Sequence, residues 1–233
     1  MTDPPSSTAE RAADSIVDAP KPFDSSAKAN VILRSKDSKH FYVLKSLLCL
    51  TSPVFDAMFP SWEGQRGNKS DIEITIIPVE EDSTTLLHLL LLIYPYNQKP
   101  SSAIDVCFEM AKAARRYGMN DIDKRIRELV MMSGILGKEP LRVYAIAMFL
   151  AWEDVMKAAA YATLEVPLRD LGWCQELGLL SAEDYHKLLQ WRFACQDAVG
   201  HVLDDHASLD YDSQRLLEEQ FRSHGVPWKG CFD

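Results

Sequence analysis

The pattern of apolar and polar residues changes character early in the chain. Residues 1–28 are rich in Ser, Ala, Pro and Asp and poor in large apolar side chains, which predicts a flexible leader over residues 1–22. Two short apolar runs, 31–33 and 41–43, then flank the polar stretch 36–39. This arrangement predicts two strands joined by a tight turn, so we expect ordered structure to begin with a β-hairpin.

A third strand and several helices are predicted in the next hundred or so residues, a domain-sized stretch. Ile72, Ile74 and Ile76 alternate with polar residues and are followed by Pro78, a pattern typical of a half-buried strand that ends at the proline. Apolar residues elsewhere recur at helical spacing behind capping residues. The predicted helices begin at Lys45 and at Ser52-Pro53, and cover 82–93, 102–117 and 120–132.

Gly134 and Gly137 interrupt this pattern, and only helical periodicity follows them. A long helix is predicted after Ser181, where a capping box has Asp184 in place of the usual Glu. Other predicted helices cover 141–150, 153–164 and a last segment from Asp210 or Asp212 to Gly225. We therefore expect an α+β domain at 23–133, a helical region at 138–226 and a tail at 227–233.

The net charge of the chain is −9, from 25 basic and 34 acidic residues. This excess of acid opposes nucleic-acid binding through phosphate neutralisation. The charge is unevenly distributed, because residues 29–133 carry 13 basic and 13 acidic side chains whereas residues 195–233 carry 3 and 8. The acidity therefore lies mainly at the C-terminal end, where it predicts a solubilising segment or a contact with a basic partner.

The N-terminal residues contain neither a basic segment nor an apolar one, so no secretory signal is expected. The longest apolar run, 86–93, is too short to span a membrane and contains His88. Five cysteines at wide spacings include no CxxC pair, which predicts free thiols in a reducing compartment. We expect an intracellular protein of the cytoplasm or nucleus that does not contact membranes.

Motifs for catalysis, nucleotide binding and metal binding are missing from the sequence. Cys195, His201 and His206 have spacings that do not suit a zinc site, and the acidic residues at 204–212 lack the glycine of a calcium loop. Cys49 and His40 are better explained as packed residues than as nucleophile and base. We therefore predict no catalytic, cofactor-binding or metal-binding residues, no cofactor and no enzymatic activity.

One alternative of a different class stays open. Trp152, Tyr161, Trp173 and Trp191 could line a site between the two halves of a small-ligand-binding or enzymatic helical protein. Aromatic residues at helical spacing are more often part of a core. A pocket with an apolar floor and converging polar groups would distinguish the two interpretations.

The order of elements and their side chains resembles a BTB/POZ domain over about residues 23–133. The signature positions of that family are matched by Phe41, Val43, Lys45, Leu48, Ser52, Phe55, Met58 and Phe59. Further stretches are most similar to the fungal BTB group and extend the resemblance to about residue 206, including 78–83, 114–119, 138–147 and 184–189.

The resemblance implies a BTB/POZ fold, with a short three-stranded sheet and helices packed around it, followed by an all-α extension. It also implies a non-enzymatic protein–protein interaction module that dimerises or acts as an adaptor scaffold. The alternative that it implies is a substrate adaptor of a cullin-RING ubiquitin ligase. The expected partners are therefore proteins, either a second copy of the chain or a cullin, and not nucleic acid.

The interaction surface of the resemblance maps to Asn30, Leu44, Lys45, Met58 and Phe59. In many members of the family an acidic residue and the basic residue after it line a charged pocket at the dimer and ligand surface. Here Asn30 stands where the family usually has Asp, and Leu44 stands where it usually has His. We expect a surface in which Lys45 has lost its acidic neighbour.

Overall fold

The computed structural model describes residues 17–64 and 74–205. The chain divides into two compact units between Leu129 and Val130. The first unit contains a small mixed sheet with helices, and the second contains helices without strands among its described residues. This α+β architecture followed by further helices is the predicted fold class.

Four strands form the sheet of the first unit, in the order β1-β3-β2-β4. Strands β2 (Val31–Arg34) and β3 (Lys39–Val43) are the predicted antiparallel hairpin. Strand β4 (Thr75–Pro78) lies parallel to β2 and is the end of the predicted third strand. The three predicted strands are thus present, and the structure adds a fourth, β1 (Val17–Asp18), parallel to β3.

Strand β1 lies within the segment that composition assigned to a flexible leader. The N–H of Ala19 donates to the carbonyl of His40 at 2.9 Å, and the N–H of Tyr42 donates to the carbonyl of Phe23 at 2.9 Å. Ala19 and Phe23 are both buried. Two anchors suffice to hold residues 17–23 along β3, which a count of polar residues does not reveal. The remainder of the predicted leader, residues 1–16, lies outside the described residues.

The side chain of β4 that enters the core is Ile77. It is fully buried and stands opposite Leu33 of β2 in the sheet register. Ile74 and Ile76 of the predicted alternating pattern are partly exposed. The alternation therefore identified the strand, whereas the parallel register with β2 selects the residue that faces the helices.

Five helices belong wholly or largely to the first unit, and local signals explain their limits. Ser52 caps the second of them, because its Oγ accepts the N–H of Phe55 at 3.1 Å, and Asp82 caps the third by accepting the N–H of Thr85 at 2.7 Å. Gly118 has a φ of +66° just after the fourth, as a C-terminal glycine cap requires. The helices are α1 (Lys45–Thr51), α2 (Pro53–Gly64), α3 (Ser83–Ile93), α4 (Ile104–Arg116) and α5 (Asn120–Met132).

The second unit continues with four helices and two 3₁₀ turns among the described residues. The helices are α6 (Ile135–Lys138), α7 (Pro140–Phe149), α8 (Glu153–Leu164) and α9 (Ala182–Asp205), and the turns are Leu168–Asp170 and Gln175–Leu179. Ser181 caps the start of α9 as predicted, because its Oγ accepts the N–H of Asp184 at 3.0 Å. The predicted capping box is incomplete, since the Asp184 carboxylate accepts the Ser181 hydroxyl instead of the Ser181 main-chain N–H. The predicted last helix, from Asp210 or Asp212 to Gly225, and the tail at 227–233 lie outside the described residues.

Large aromatic side chains build the core of the second unit. Trp152, Tyr144 and Trp191 are all fully buried, which favours the core interpretation of Trp152 and Trp191 over the pocket-lining one. Arg192 of α9 is also buried, and its guanidinium donates to the carbonyl oxygens of Thr163 and Val166. A cation at this position is favourable, because the C-terminal end of a helix such as α8 carries partial negative charge.

None of the helices in the described part of the chain is both long and apolar enough to cross a membrane. The cysteines in that part, Cys49, Cys107, Cys174 and Cys195, are free thiols.

Candidate interaction surface

The residues of the predicted surface meet where β2, β3 and α1 join. Asn30 lies just before β2 and is exposed, and its Oδ1 accepts the N–H of Lys45 at 2.8 Å. Leu44 connects β3 to α1 in an extended conformation, and its N–H donates to the hydroxyl of Tyr94 at 2.6 Å. Both bonds satisfy N–H groups at the start of α1, so Asn30 acts as a helix cap supplied by the residue just before β2.

Lys45 connects this junction to α2. Its Nζ lies 5.0 Å from the centroid of the Phe59 ring, which is a cation–π contact. Phe59 itself is only 3% exposed, and Met58 beside it is half-buried. The structure thus links Asn30, Lys45 and Phe59 through contacts. Too little of the Phe59 ring reaches solvent for it to contact a partner directly. Phe59 instead lies beneath the surface, where its ring contacts Lys45.

An apolar feature that the sequence reasoning missed lies on α1. Leu50 is 81% exposed, whereas Leu48 is fully buried. Leu44 and Leu47 are half-buried. A helix of seven residues can turn only one side to the core, so four leucines within and just before it could not all be covered. That composition was the signal available in the sequence. We call Leu44, Leu47 and Leu50 the α1 patch.

The position of α2 depends on a buried contact with the end of α4. Ser52 Oγ donates to the carbonyl of Tyr117 at 2.6 Å, in addition to its capping role. The Tyr117 ring stacks on Phe55 with 4.6 Å between centroids. Pro53 lies against Gly118, where an added Cβ would be 3.1 Å from the proline Cγ. These contacts hold the first turn of α2 in place and with it the side chains that α2 presents.

A buried carboxylate anchors the same junction on its other side. Glu81 has a side chain only 3% exposed, and it accepts hydrogen bonds from the Tyr117 hydroxyl at 2.6 Å and from Arg116 Nη1 at 2.5 Å. The main chain of Glu81 also accepts the N–H of Lys36 at 2.8 Å. Burial, together with the neighbouring Glu81 carboxylate, raises the pKa of Tyr117, so the phenol stays a donor. Glu81 therefore joins the hairpin turn to the end of α4.

Two thiols of the first unit, those of Cys49 and Cys107, have raised pKa values. Burial and a hydrogen bond with Asp56 raise the pKa of the Cys49 thiol, and burial raises that of Cys107 to about 11. Thiols with raised pKa values are protonated at neutral pH and react poorly. Among residues 17–64 and 74–205, no three His, Cys, Asp or Glu side chains are grouped as metal ligands. His206, considered above with Cys195 and His201, lies outside those residues.

The comparisons with known proteins agree with the geometry of the first unit. Residues 21–132 match the model of the BTB/POZ domain family. No curated protein matches the chain at a significant level. The matched segment contains β2, β3, β4 and helices α1 to α5, and BTB/POZ domains generally mediate protein–protein interaction. The match implies protein partners, and the fold of residues 21–132 is that of a BTB/POZ domain.

Proposed function

We propose that this chain is a non-enzymatic interaction module whose BTB/POZ domain associates with a second copy of itself through the α1 patch. The observation that carries the proposal is the 81% exposure of Leu50 on a helix whose other leucines are covered or half-covered. Apolar side chains grouped on a surface and surrounded by polar residues are characteristic of protein interfaces. The second unit is then the helical extension of a protein similar to the fungal BTB group.

A second copy is a suitable occupant because the patch can face itself. An interface about a twofold axis uses the same residues on both sides, so an apolar strip along α1 is complementary to its own image. The domain also carries equal numbers of basic and acidic side chains over residues 29–133, namely 13 of each. Two such domains approach without net repulsion.

The charge nearest to the patch is compatible with this arrangement. Lys45 belongs to α1, and its ammonium lies against the Phe59 ring. Asn30 beside it is neutral and caps the helix. The junction therefore contains one cation held on an aromatic face, and the nearby Asp56 of α2 hydrogen-bonds the Cys49 thiol of α1.

Light scattering of the purified full chain tests the proposal. We expect a dimer for the wild type and a monomer for Leu50→Asp, because each charge would be buried against its own image. Leu168→Asp is the matched control, since Leu168 is an exposed leucine of the second unit and should leave the dimer intact. A monomeric wild type, or a Leu50→Asp dimer of unchanged stability, would refute self-association through the patch.

The resemblance also implies a cullin as the partner of an adaptor. A pull-down with a cullin N-terminal domain separates this role from self-association. A monomeric wild type that captures the cullin, with capture lost in Leu50→Asp, would assign the patch to a cullin and make the chain an adaptor scaffold. Capture that is insensitive to Leu50→Asp would place any cullin contact elsewhere.

A further inference from the structure

The second unit contains a cavity of about 230 Å³. It lies beside the start of α7 and the irregular segment that follows α8. Much of its wall is apolar and is formed by Pro140, Leu141, Val166 and Leu171. The volume suits one large apolar side chain and is below the roughly 300–1,000 Å³ of typical small-molecule sites. This cavity is remote in sequence from the α1 patch and independent of the proposed self-association.

The backbone along one side of the cavity is extended. Leu171 and Cys174 have φ, ψ values of −69°, 92° and −133°, 152°. The main-chain groups of Gly172 and Trp173 between them form no hydrogen bond with the described residues. A Cβ placed on Gly172 would meet no atom within 4 Å. An extended segment with unused main-chain groups and open space beside it can pair with the backbone of another extended chain.

Trp173 is the most exposed aromatic side chain at this cavity, with 82% of its surface accessible. Tryptophan is strongly enriched among the residues that contribute most to binding at protein interfaces. Its neighbour in sequence, Cys174, also lines the cavity but is partly buried, and burial raises the pKa of its thiol. The Cys174 thiol is therefore not expected to be the reactive group of this site. The exposed ring of Trp173 is the better candidate for contact with a partner.

The charges at the cavity favour an acidic occupant. Arg142 is committed to Glu139 and Glu176, at 2.9 Å and 2.7 Å. Asp170 lies 3.7 Å from Arg169. Lys138 also lines the cavity, is exposed, and makes no ion pair with the described residues. The uncommitted charge at the rim is therefore positive and suits a carboxylate.

We propose that this cavity and the extended segment Leu171–Cys174 bind a peptide segment of another protein. The bound segment is extended and pairs with the main chain of Gly172 and Trp173. It places one bulky apolar side chain in the cavity and an adjacent acidic side chain near Lys138. The size of the cavity determines which apolar side chain of the peptide fits, and the Trp173 ring covers that side chain.

Fluorescence anisotropy with labelled decapeptides tests this on the full chain. The probes carry Phe, Trp, Leu or Met as the anchor, followed by Asp, within a Thr/Val background. Matched probes replace the anchor with Ala, replace Asp with Asn, or carry N-methyl groups on the amides flanking the anchor. We expect at least one anchor to bind, and each of the three replacements to weaken it.

Three protein variants locate the binding. Trp173→Ala should weaken the best probe about tenfold or more. Lys138→Glu should weaken the Asp probe and leave the Asn probe unchanged. Leu168→Ala should have no effect, because Leu168 is exposed nearby in sequence but does not line the cavity. Circular dichroism checks that each variant keeps its fold.

Several outcomes would overturn the proposal. The first is that no probe binds below millimolar concentration. The second is that a probe binds but Trp173→Ala or N-methylation does not weaken it. Equal affinity for the decapeptide and for the isolated anchor, as its N-acetyl amide, would identify a small-ligand site instead. None of these results bears on the oligomeric state, so the fate of this proposal is distinguishable from that of self-association.

Discussion

The phenol of Tyr117 donates a 2.6 Å hydrogen bond to a buried oxygen of Glu81, 36 residues before it in the chain. Arg116, the residue just before Tyr117, binds the other carboxylate oxygen. Adjacent residues at the end of α4 thus hold both oxygens of one carboxylate. This contact joins the end of α4 to the turn between β4 and α3. The same end of α4 also holds α2 in place.

Removing the phenol should be costly at this position. We expect Tyr117→Phe to lower the free energy of unfolding by about 1.5–3 kcal/mol, because a hydrogen bond to a charged, buried group is lost. Tyr144→Phe is the matched control. The Tyr144 hydroxyl is also buried and has no hydrogen-bond partner among the described residues, so its removal should be neutral or stabilising. Urea unfolding measures both, and equal losses would contradict the contact.

The ends of α4 and α7 offer a paired test of backbone conformation. Both helices end with the hydrogen bonds of a Schellman motif, but the left-handed residue is Gly118 in one and Ala151 in the other, with φ values of +66° and +48°. We expect Ala151→Gly to raise stability by about 0.5–1 kcal/mol, because alanine is strained in this region.

Gly118→Ala should have the opposite sign, with a loss of about 1–2 kcal/mol from the left-handed conformation. The contact of the new Cβ with Pro53 adds to this loss. Urea midpoints again provide the measurement. The same sign for both substitutions would show that the two helix ends do not share this geometry.

The cap that Asn30 supplies to α1 can be separated from charge. Asn30→Ala should cost about 1 kcal/mol, because the N–H of Lys45 loses its acceptor. Asn30→Asp keeps an acceptor and adds a negative charge near the N-terminus of α1, so it should be at least as stable as the wild type in low salt. Its advantage should shrink in about 1 M NaCl, where such charges are screened. A loss in Asn30→Asp equal to that in Asn30→Ala would exclude the capping role.

His88 predicts a pH dependence of stability. Its Nδ1 accepts the N–H of Ser101 at 3.1 Å, which requires an unprotonated nitrogen. Burial lowers the pKa of His88 below its ordinary value of 6.5. The unfolded chain therefore takes up a proton at higher pH than the folded chain, and the free energy of unfolding decreases as pH falls below 6.5.

His88→Asn removes the titration while an amide oxygen can still accept the Ser101 N–H. The urea midpoint of the wild type should fall between about pH 7 and about pH 5.5 by more than that of His88→Asn. The comparison between the two proteins removes the contribution of the other histidines. Parallel decreases would show that His88 does not titrate differently on folding.

Signals within one turn of chain allowed much of the fold to be predicted. The limits of α8, the proline start of α7, the glycine after α4 and the cap at Asp82 all depend on neighbouring residues. The hairpin is similarly local. These elements are the ones in which short-range geometry alone decides the structure.

Features that depend on distant residues could not be predicted. Strand β1 is held because Phe23 packs edge-on against Tyr94, with 5.1 Å between ring centroids. The burial of Ile77 rather than Ile76 follows from the register with β2. In each case, a partner elsewhere in the fold overrides a local pattern of polarity.

The residues of the candidate surface also fall into those that the sequence predicted and those that depend on the packing of distant elements. The grouping of Asn30, Leu44 and Lys45 followed from the family pattern. A hydrogen bond joins Asn30 to Lys45, whereas the N–H of Leu44 donates to Tyr94. The burial of Phe59 and the exposure of Leu50 depend on which side of a short helix meets the core. A sequence of consecutive apolar residues does not contain that information, because every rotation of the helix looks equally favourable.

Strand β1 has a consequence for anyone who shortens this protein. It lies outside β3 in the sheet, and residues 19 and 23 continue the pairing along that strand. A chain that begins after Phe23 would leave the N–H of Tyr42 and the carbonyl of His40 on an open sheet edge. Open edges recruit strands from other molecules. N-terminal truncation is therefore expected to expose the edge of β3 and to promote aggregation through intermolecular strand pairing.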